Sequence, residues 1–280
     1  MLKKLMKYEF KATGRSILPL YAALCAFALL IRIIFGNLYD ISNMPDSFMA
    51  IVTFISIFGY GFVMAAVFVA TFFIIVQRFH KNLLGDEGYL MHTLPLQPYK
   101  NITSKLIVSG VWSIISILVA IFSIFIIAAN GEFFTEFSTE FLPELKRSFT
   151  VFKINPYILF LEIILCGIAQ LSKLILKLYA SISIGHLFNK SKILFSLVAF
   201  VGISIIENII SSIIMINSAS HIHVNTIAAS SDNFSFTLSL GGHPISSYLV
   251  ILLPLLINLI YCCIYFFSTN HILKNNLNLE

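Results

Sequence analysis

The chain has 280 residues, of which 58% are hydrophobic and 11% carry a formal charge. A mean hydropathy of +0.92 lies outside the range of soluble domains, which excludes a soluble enzyme or a soluble binding module. The net charge of +5 comes from lysines and arginines that lie mostly on one predicted side of the membrane, as in other membrane proteins. It therefore does not predict nucleic acid as a partner.

Six long apolar stretches predict six transmembrane helices, because a bilayer core about 30 Å thick needs roughly 20 helical residues to cross it. The residues from Ser47 to Gln77, and those from Leu106 to Gly131, contain no formal charge at all. We place the spans at about 16–36, 48–77, 104–129, 156–187, 193–216 and 247–268. The predicted fold class is an all-α polytopic membrane protein, in which residues 1–280 form one transmembrane domain.

An even number of crossings places both termini on one side of the membrane. Lysine and arginine concentrate on the cytoplasmic side of membrane proteins, so the more cationic side identifies the cytoplasm. The cations on that side are Lys3, Lys4, Lys7, Lys11, Arg15, Arg78, Lys81, Lys100, Lys105, Lys173, Lys177, Lys190, Lys192 and Lys274. We therefore expect cytoplasmic termini.

Residues 1–15 predict an amphipathic helix lying on the membrane surface. Its lysines and Arg15 share an arc of about 120°, a cationic face that is drawn toward anionic lipid. The opposite, apolar face consists of Leu2, Leu5, Met6 and Phe10. Glu9 interrupts that apolar face, and two interpretations stay open. Its carboxylate either tilts into the lipid headgroups or contacts a cationic group on another cytoplasmic segment or on a partner.

The cytoplasmic loop at residues 78–103 is too short for a domain and too patterned for a linker. Gly85 breaks the chain, Asp86 can cap a short helix that reaches Thr93, and Pro95 ends it. The acidic first turn suits the positive end of such a helix.

This short helix is a candidate docking element for a partner protein, and a structured reversal without a partner is the alternative. The residues expected to carry docking are Asp86, Glu87, Tyr89, Leu90 and Met91, with Glu9 from the N-terminal helix.

The third span carries small side chains along one narrow face. These are Ser109, Ser113, Ser116, Ala120 and Ser123. Small residues at this spacing allow helix backbones to approach closely, so we interpret the face as a packing surface.

The fourth span carries a polar stripe about 80° wide and roughly 22 Å long on an otherwise apolar helix. Its members are Glu162, Cys166, Gln170, Lys173 and Lys177. The fifth span carries a second polar face, which consists of Ser196, Ser204, Glu207 and Ser211. A charge facing lipid at mid-bilayer costs at least about 2.5 kcal/mol, so the stripe should face protein or water.

Two interpretations of this stripe stay open. It forms hydrogen bonds between helices while its lysines extend toward the membrane surface, or it lines a solute path or the seam between two copies. The estimated span ends put both Glu162 and Glu207 in the outer half of the membrane. The path candidates are Glu162, Gln170, Lys173, Lys177, Ser204 and Glu207.

Two outer loops carry weaker patterns. Glu132, Glu136 and Glu140 recur every four residues, which predicts an interfacial helix with an acidic face or a patch that meets a cationic solute. The alternating apolar run from Phe234 to Leu240 predicts a short hairpin within 218–246. The nearby His221, His223 and His243 have no carboxylate or cysteine beside them, so we predict no metal site.

Motifs for catalysis are absent from the sequence. The chain has no HExxH, GxSxG, GxGxxG or GxxxxGK[ST] pattern, and its four cysteines lie inside spans without a CxxC pair. We therefore predict no enzyme activity, no cofactor and no disulfide framework. Any work that needs nucleotide energy must be powered by another polypeptide.

Three segments carry a resemblance to a known family. They read MLKKLMKYEFKATGR, RFHKNLLGDEGYLMHTLPLQPYKNITSKLI and LYASISIGHLFNKSK, and GDEGYLMHTLP is the most specific part. They resemble the membrane subunits of type 2 ABC exporters in their bacterial single-domain form. The resemblance covers most of the chain in order, except for the outer loops.

The resemblance implies a permease of the bacterial plasma membrane that assembles with a second copy or a related permease and with two cytoplasmic ATPase subunits. The helix Asp86–Thr93 would be the coupling helix that sits in a cleft of the ATPase, with Glu9 close by. ATP hydrolysis by that partner would then drive solute movement, in the direction of export.

Two other classes of function are kept as alternatives. A proton-coupled secondary transporter would use Glu162 and Glu207 as proton relays, although inverted repeats are not evident. A membrane sensor or immunity component that does not transport would use the same docking helix to bind a partner.

Overall fold

The computed structural model describes residues 2–38, 46–81, 98–128, 135, 137–144, 146, 155–188, 191–227, 235–240, 243–244 and 247–275. Within these residues the long helices are α1 (Leu2–Leu38), α2 (Asp46–Phe79), α3 (Pro98–Ala128), α4 (Pro156–Gly185), α5 (Lys192–His221) and α6 (Ser247–Asn275). Each contains a segment long and apolar enough to cross a membrane. The chain is an all-α polytopic membrane protein, and the six predicted spans are confirmed.

The first helix differs from the prediction at its start. We expected a separate surface helix over residues 1–15, but α1 runs without a break from Leu2 to Leu38. Its lysines are exposed as predicted, whereas Glu9 is buried and Phe10 stacks on the ring of Trp112, at 4.7 Å between ring centroids. Part of the face assigned to lipid therefore packs against protein, a distinction that helical periodicity alone does not make.

The chain divides into two compact units, Met1–Glu136 with α1 to α3 and Phe137–Glu280 with α4 to α6. The prediction of a single domain over 1–280 stays a prediction. The predicted docking helix Asp86–Thr93 falls within residues 82–97, outside the described residues.

The core of the first unit forms where α1 packs against α2 and α3. Its buried residues are Ile17, Tyr21, Leu24, Val67, Val108 and Trp112. Gly14 permits this packing, because a Cβ atom at that position would lie 2.9 Å from the indole ring of Trp112. The absence of a side chain at Gly14 thus leaves space on α1 for the indole ring.

The small-residue face predicted on the third span is confirmed as a packing surface. Ser109, Ser116, Ala120 and Ser123 are buried on α3. The hydroxyl of Tyr21 hydrogen-bonds with that of Ser116, and Tyr60 and Ser123 share a hydroxyl contact of 2.6 Å. The small side chains allow α1 and α2 to approach closely, and the serine hydroxyl groups hydrogen-bond with the hydroxyl groups of Tyr21 and Tyr60.

In the second unit α4 packs against both α5 and α6. The helix begins with a cap in which Asn155 Oδ1 accepts a hydrogen bond from the Tyr157 amide at 3.0 Å, followed by Pro156 at its first position. At its other end a Cβ atom on Gly185 would lie 2.5 Å from the Ser196 amide nitrogen. Glycine therefore allows the end of α4 to approach the start of α5 closely.

The predicted hairpin is confirmed as a small antiparallel sheet in the order β1 (Ile222–Ile227), β2 (Ser235–Leu240), β3 (His243–Pro244). Its register pairs Ile222 with Leu240 and Leu240 with His243.

The outer loop that carries Glu132, Glu136 and Glu140 contains a π-helical turn, Phe137–Phe141, whose two phenylalanine rings stack at 5.2 Å between ring centroids. Glu140 is exposed on that turn, and Glu132 and Glu136 lie outside the described residues.

Candidate functional site

Three helices of the second unit meet at one carboxylate. Lys173 Nζ on α4 lies 2.6 Å from Glu207 Oε1 on α5, and Lys177 Nζ lies 3.0 Å from Glu207 Oε2. The hydroxyl of Tyr265 on α6 donates a hydrogen bond to the same Oε2 at 3.2 Å. We call Lys173, Lys177, Glu207 and Tyr265 the intramembrane charge cluster.

The helical repeat explains why one carboxylate serves two lysines. Residues four apart lie on the same face of a helix, so Lys173 and Lys177 project side by side from α4. Two like charges at that spacing repel each other. The two oxygens of Glu207 offset this repulsion, since each oxygen accepts one ammonium group.

The intramembrane charge cluster is buried deep along the helices. The exposed fractions of the side chains are 11% for Lys173, 12% for Lys177 and 9% for Glu207. At 1.5 Å per residue, Lys173 lies about 18 Å from the Gly185 end of α4. The lysines thus turn inward to Glu207 rather than extending along the helix to the membrane surface.

Two aromatic rings complete the surroundings of the lysines. Lys173 Nζ lies 5.7 Å from the ring centroid of Tyr261, and Lys177 Nζ lies 5.2 Å from that of Phe200. A cation over a ring face is attracted by the ring quadrupole. The Tyr261 hydroxyl is itself buried and has no hydrogen-bond partner among the described residues.

The other predicted path residues do not join this cluster. Gln170 is exposed, and the hydroxyl of Ser204 bonds to the Phe200 carbonyl of its own helix at 2.7 Å. Glu162 lies about 17 Å from Lys173 along α4, and its Oε2 is buried without a hydrogen-bond partner among the described residues. Glu207 stands level with Lys173 and Lys177 rather than with Glu162. The placement of both carboxylates in the outer half of the membrane stays a prediction.

Sequence reasoning missed the contribution of α6. Tyr261 and Tyr265 lie four residues apart, with ring centroids 6.0 Å apart and nearly parallel planes. Tyrosine is an aromatic residue with a polar tip, which usually finds a hydrogen-bond partner when buried. Two tyrosines on one face of an apolar span were the signal available in the sequence.

A second charged contact joins the helices of the first unit. Lys105 Nζ on α3 lies 2.5 Å from Glu9 Oε1 on α1 and donates to the Arg78 carbonyl of α2 at 3.4 Å. Both side chains of the ion pair are buried. We call Glu9, Lys105 and the Arg78 carbonyl the helix-end clamp.

The helix-end clamp lies near the helix ends that flank residues 82–97, which include the predicted docking helix. Arg78 is in the last turn of α2, and Lys105 lies two turns after the start of α3 at Pro98. The clamp therefore joins the described helix ends on either side of residues 82–97. Of the two interpretations of Glu9, contact with a cation on another segment is confirmed, and the side chain lies inside the first unit rather than on its surface.

The remaining docking candidates lie outside the described residues, namely Asp86, Glu87, Tyr89, Leu90 and Met91. The described part of the chain holds no group of three or more histidine, cysteine, aspartate or glutamate residues suited to a metal ion. The side chains of His221, His223 and His243 are outside that description.

Comparisons of this chain with protein-family models, curated proteins and solved structures give no match.

Proposed function

We propose that this chain is the membrane-spanning subunit of an ATP-driven transporter of the type 2 ABC exporter class. It would couple ATP hydrolysis by a separate cytoplasmic ATPase subunit to solute movement across the bacterial plasma membrane. In this arrangement both termini face the cytoplasm, and a second copy or a related permease completes the translocation unit.

The observation that carries the proposal is the helix-end clamp beside the loop at residues 82–97. A loop that receives force must be joined rigidly to the helices it moves. Lys105 on α3 forms a buried ion pair with Glu9 on α1 and donates a hydrogen bond to the Arg78 carbonyl of α2. Breaking a buried ion pair is costly. Displacement of the loop would therefore move three helices together.

The intramembrane charge cluster supports a transport role for the second unit. Ionisable side chains inside a membrane are rare, and they commonly mark ion or substrate pathways. Lys173, Lys177 and Glu207 are held together by three helices. We assign the solute path to the face of α4 that carries these two lysines.

Co-purification tests the partnership. The full chain, carrying an affinity tag, is extracted in mild detergent from cells of its source and examined for a retained ATPase subunit by mass spectrometry and by ATP hydrolysis. We expect the wild-type chain to retain that subunit. Leu90→Glu places a charge on the predicted docking helix and should abolish retention.

Glu140→Lys provides the matched control, because it changes the charge of an exposed residue on a different loop. It should leave retention unchanged. Retention of the ATPase by L90E at the wild-type level, in chains that elute as folded protein, would contradict the docking role. Failure of the wild-type chain to retain any ATPase would contradict the proposed function.

A proton-coupled secondary transporter is the second candidate, favoured by two carboxylates of the second unit. Glu207 lies inside the intramembrane charge cluster, and Glu162 Oε2 lacks a hydrogen-bond partner among the described residues. Intramembrane carboxylates serve as proton relays in such transporters. Solute uptake into proteoliposomes driven by a proton gradient, without ATP, would favour this candidate over the first.

A further inference from the structure

The intramembrane charge cluster has one more positive charge than it has negative charge. Lys173 and Lys177 contribute two ammonium groups, whereas Glu207 contributes one carboxylate. Among the described residues no second carboxylate lies within ion-pair distance of either lysine. An uncompensated charge inside a membrane protein is costly, so the cluster favours the arrival of one further negative charge.

The cluster also has hydrogen-bond donors to spare. A lysine ammonium group carries three N–H donors, and each lysine directs one contact to Glu207. The nearby hydroxyl of Tyr261 is buried without a hydrogen-bond partner among the described residues. Buried polar groups normally have such partners, so this hydroxyl is available to donate a hydrogen bond to a bound group.

We propose that the intramembrane charge cluster is a binding site for an oxyanion, a carboxylate or phosphate group carried by the solute. The group would accept hydrogen bonds from Lys173 and Lys177, with the hydroxyl of Tyr261 as a third donor. About a tenth of each lysine side chain is exposed, and each ammonium group has donors beyond its contact with Glu207. The assignment of this group to a transported solute rests on the proposed function.

The chemistry of the cluster discriminates against other ligands. A cationic solute would meet an excess of positive charge, and a neutral solute would leave that excess uncompensated. An oxyanion can reach the site from two sources, either as a small ion from water or as the headgroup of an anionic amphiphile from the membrane. Both sources present the same acceptor oxygens to the lysines.

Direct binding to the full chain alone, without any ATPase, tests the site. The chain is reconstituted in phosphatidylcholine nanodiscs and incubated in separate arms with radiolabelled inorganic phosphate and radiolabelled oleate. Labelled oleyl alcohol is the neutral counterpart, and empty nanodiscs supply the background. We expect saturable binding in at least one of the two anion arms and none of oleyl alcohol.

Lys177→Gln removes the excess charge and leaves Lys173 paired with Glu207. Loss of one charged hydrogen bond should weaken binding of the anion about tenfold or more. Tyr261→Phe removes only the hydroxyl and should weaken binding several-fold. Lys274→Gln deletes an exposed lysine at the end of α6 and should bind like wild type.

The two arms separate the sources, since binding of phosphate indicates a soluble anion and binding of oleate an amphiphile. Equal binding by wild type and K177Q, or no saturable binding of either anion by folded wild-type protein, would overturn the proposal. Should K177Q fail to fold, the comparison of oleate and phosphate with oleyl alcohol on wild type still decides it. Because no ATPase is present, failure of the partnership would leave these results intact.

Discussion

Replacing Glu207 by glutamine should be the most destabilising single change in the second unit. Glutamine keeps the shape of the side chain but removes the charge that holds Lys173 and Lys177. The gross attraction at about 3 Å is about 5 kcal/mol for each lysine at an effective dielectric constant of about 20. Desolvation offsets much of this, and measured losses on breaking buried pairs are about 3–5 kcal/mol. We expect E207Q to lose stability in that range.

The same reasoning predicts an asymmetry between the partners. Lys177→Gln leaves a neutral pair of Lys173 and Glu207, so its stability should stay within about 1 kcal/mol of wild type. The double variant E207Q/K177Q leaves one unpaired ammonium group instead of two. It should therefore be more stable than E207Q alone, with a coupling energy of about 0.5–3 kcal/mol.

Unfolding by sodium dodecyl sulfate in mixed micelles, followed by far-UV circular dichroism, measures these free energies. Gln170→Ala is the matched control, because Gln170 is exposed on the same helix and should cost little. If E207Q were no less stable than Q170A, or if K177Q were as damaging as E207Q, the charge imbalance of the cluster would be refuted.

Three further predictions concern packing and the helix-end clamp. Gly14→Ala puts a Cβ atom 2.9 Å from the ring of Trp112 and should cost about 1–3 kcal/mol, and the emission of this single tryptophan should shift. Gly185→Ala puts a Cβ atom 2.5 Å from the Ser196 amide nitrogen and should cost a similar amount, measured by detergent unfolding. Lys105→Met breaks the buried ion pair of the clamp, and under the proposed function it should lower transport per ATP hydrolysed while the ATPase stays bound.

Each of these changes has a control within the same unit. A Cβ atom at Gly110 or at Gly167 would meet nothing within 4 Å. Alanine there should be neutral or stabilising by up to about 1 kcal/mol, since glycine weakens a helix interior relative to alanine. Lys11→Met removes an exposed cation of α1 and should leave transport per ATP unchanged. A loss at Gly110 equal to that at Gly14 would contradict the role given to Trp112.

The spans were predictable because a helix that crosses the bilayer must have an apolar stretch of sufficient length. An uncharged stretch of 26 or 31 residues satisfies this requirement whatever its neighbours are, so α2 and α3 followed from the sequence. The serine face of α3 followed for a similar reason, since small residues at helical spacing have one common use in membranes. These patterns are local.

The continuity of α1 and the pairing of Glu9 could not be predicted from a local pattern. A helical wheel places Glu9 among apolar residues, but it does not say whether that face meets lipid or another helix. Lys105 is 96 residues away in the chain, and its pairing with Glu9 depends on how α3 is rotated and how deep it lies. Sequence periodicity gives the face of a helix and leaves its depth undetermined.

The candidate site shows the same division. The wheel placed Lys173 and Lys177 on one face of α4 and Glu207 on the polar face of α5, but it did not show that these three side chains meet. The helices settle at a level where the carboxylate meets two ammonium groups, because separated charges inside a membrane are more costly than paired ones.

The two buried lysine–glutamate contacts of this chain suit different tasks. In the helix-end clamp one ammonium group meets one carboxylate, an arrangement suited to a fixed connection between helices. In the intramembrane charge cluster two ammonium groups share one carboxylate, and a neighbouring hydroxyl is unpaired among the described residues. The excess of positive charge in this cluster favours the binding of an anion. Under the proposed function, the second unit is therefore where a negatively charged solute would be held.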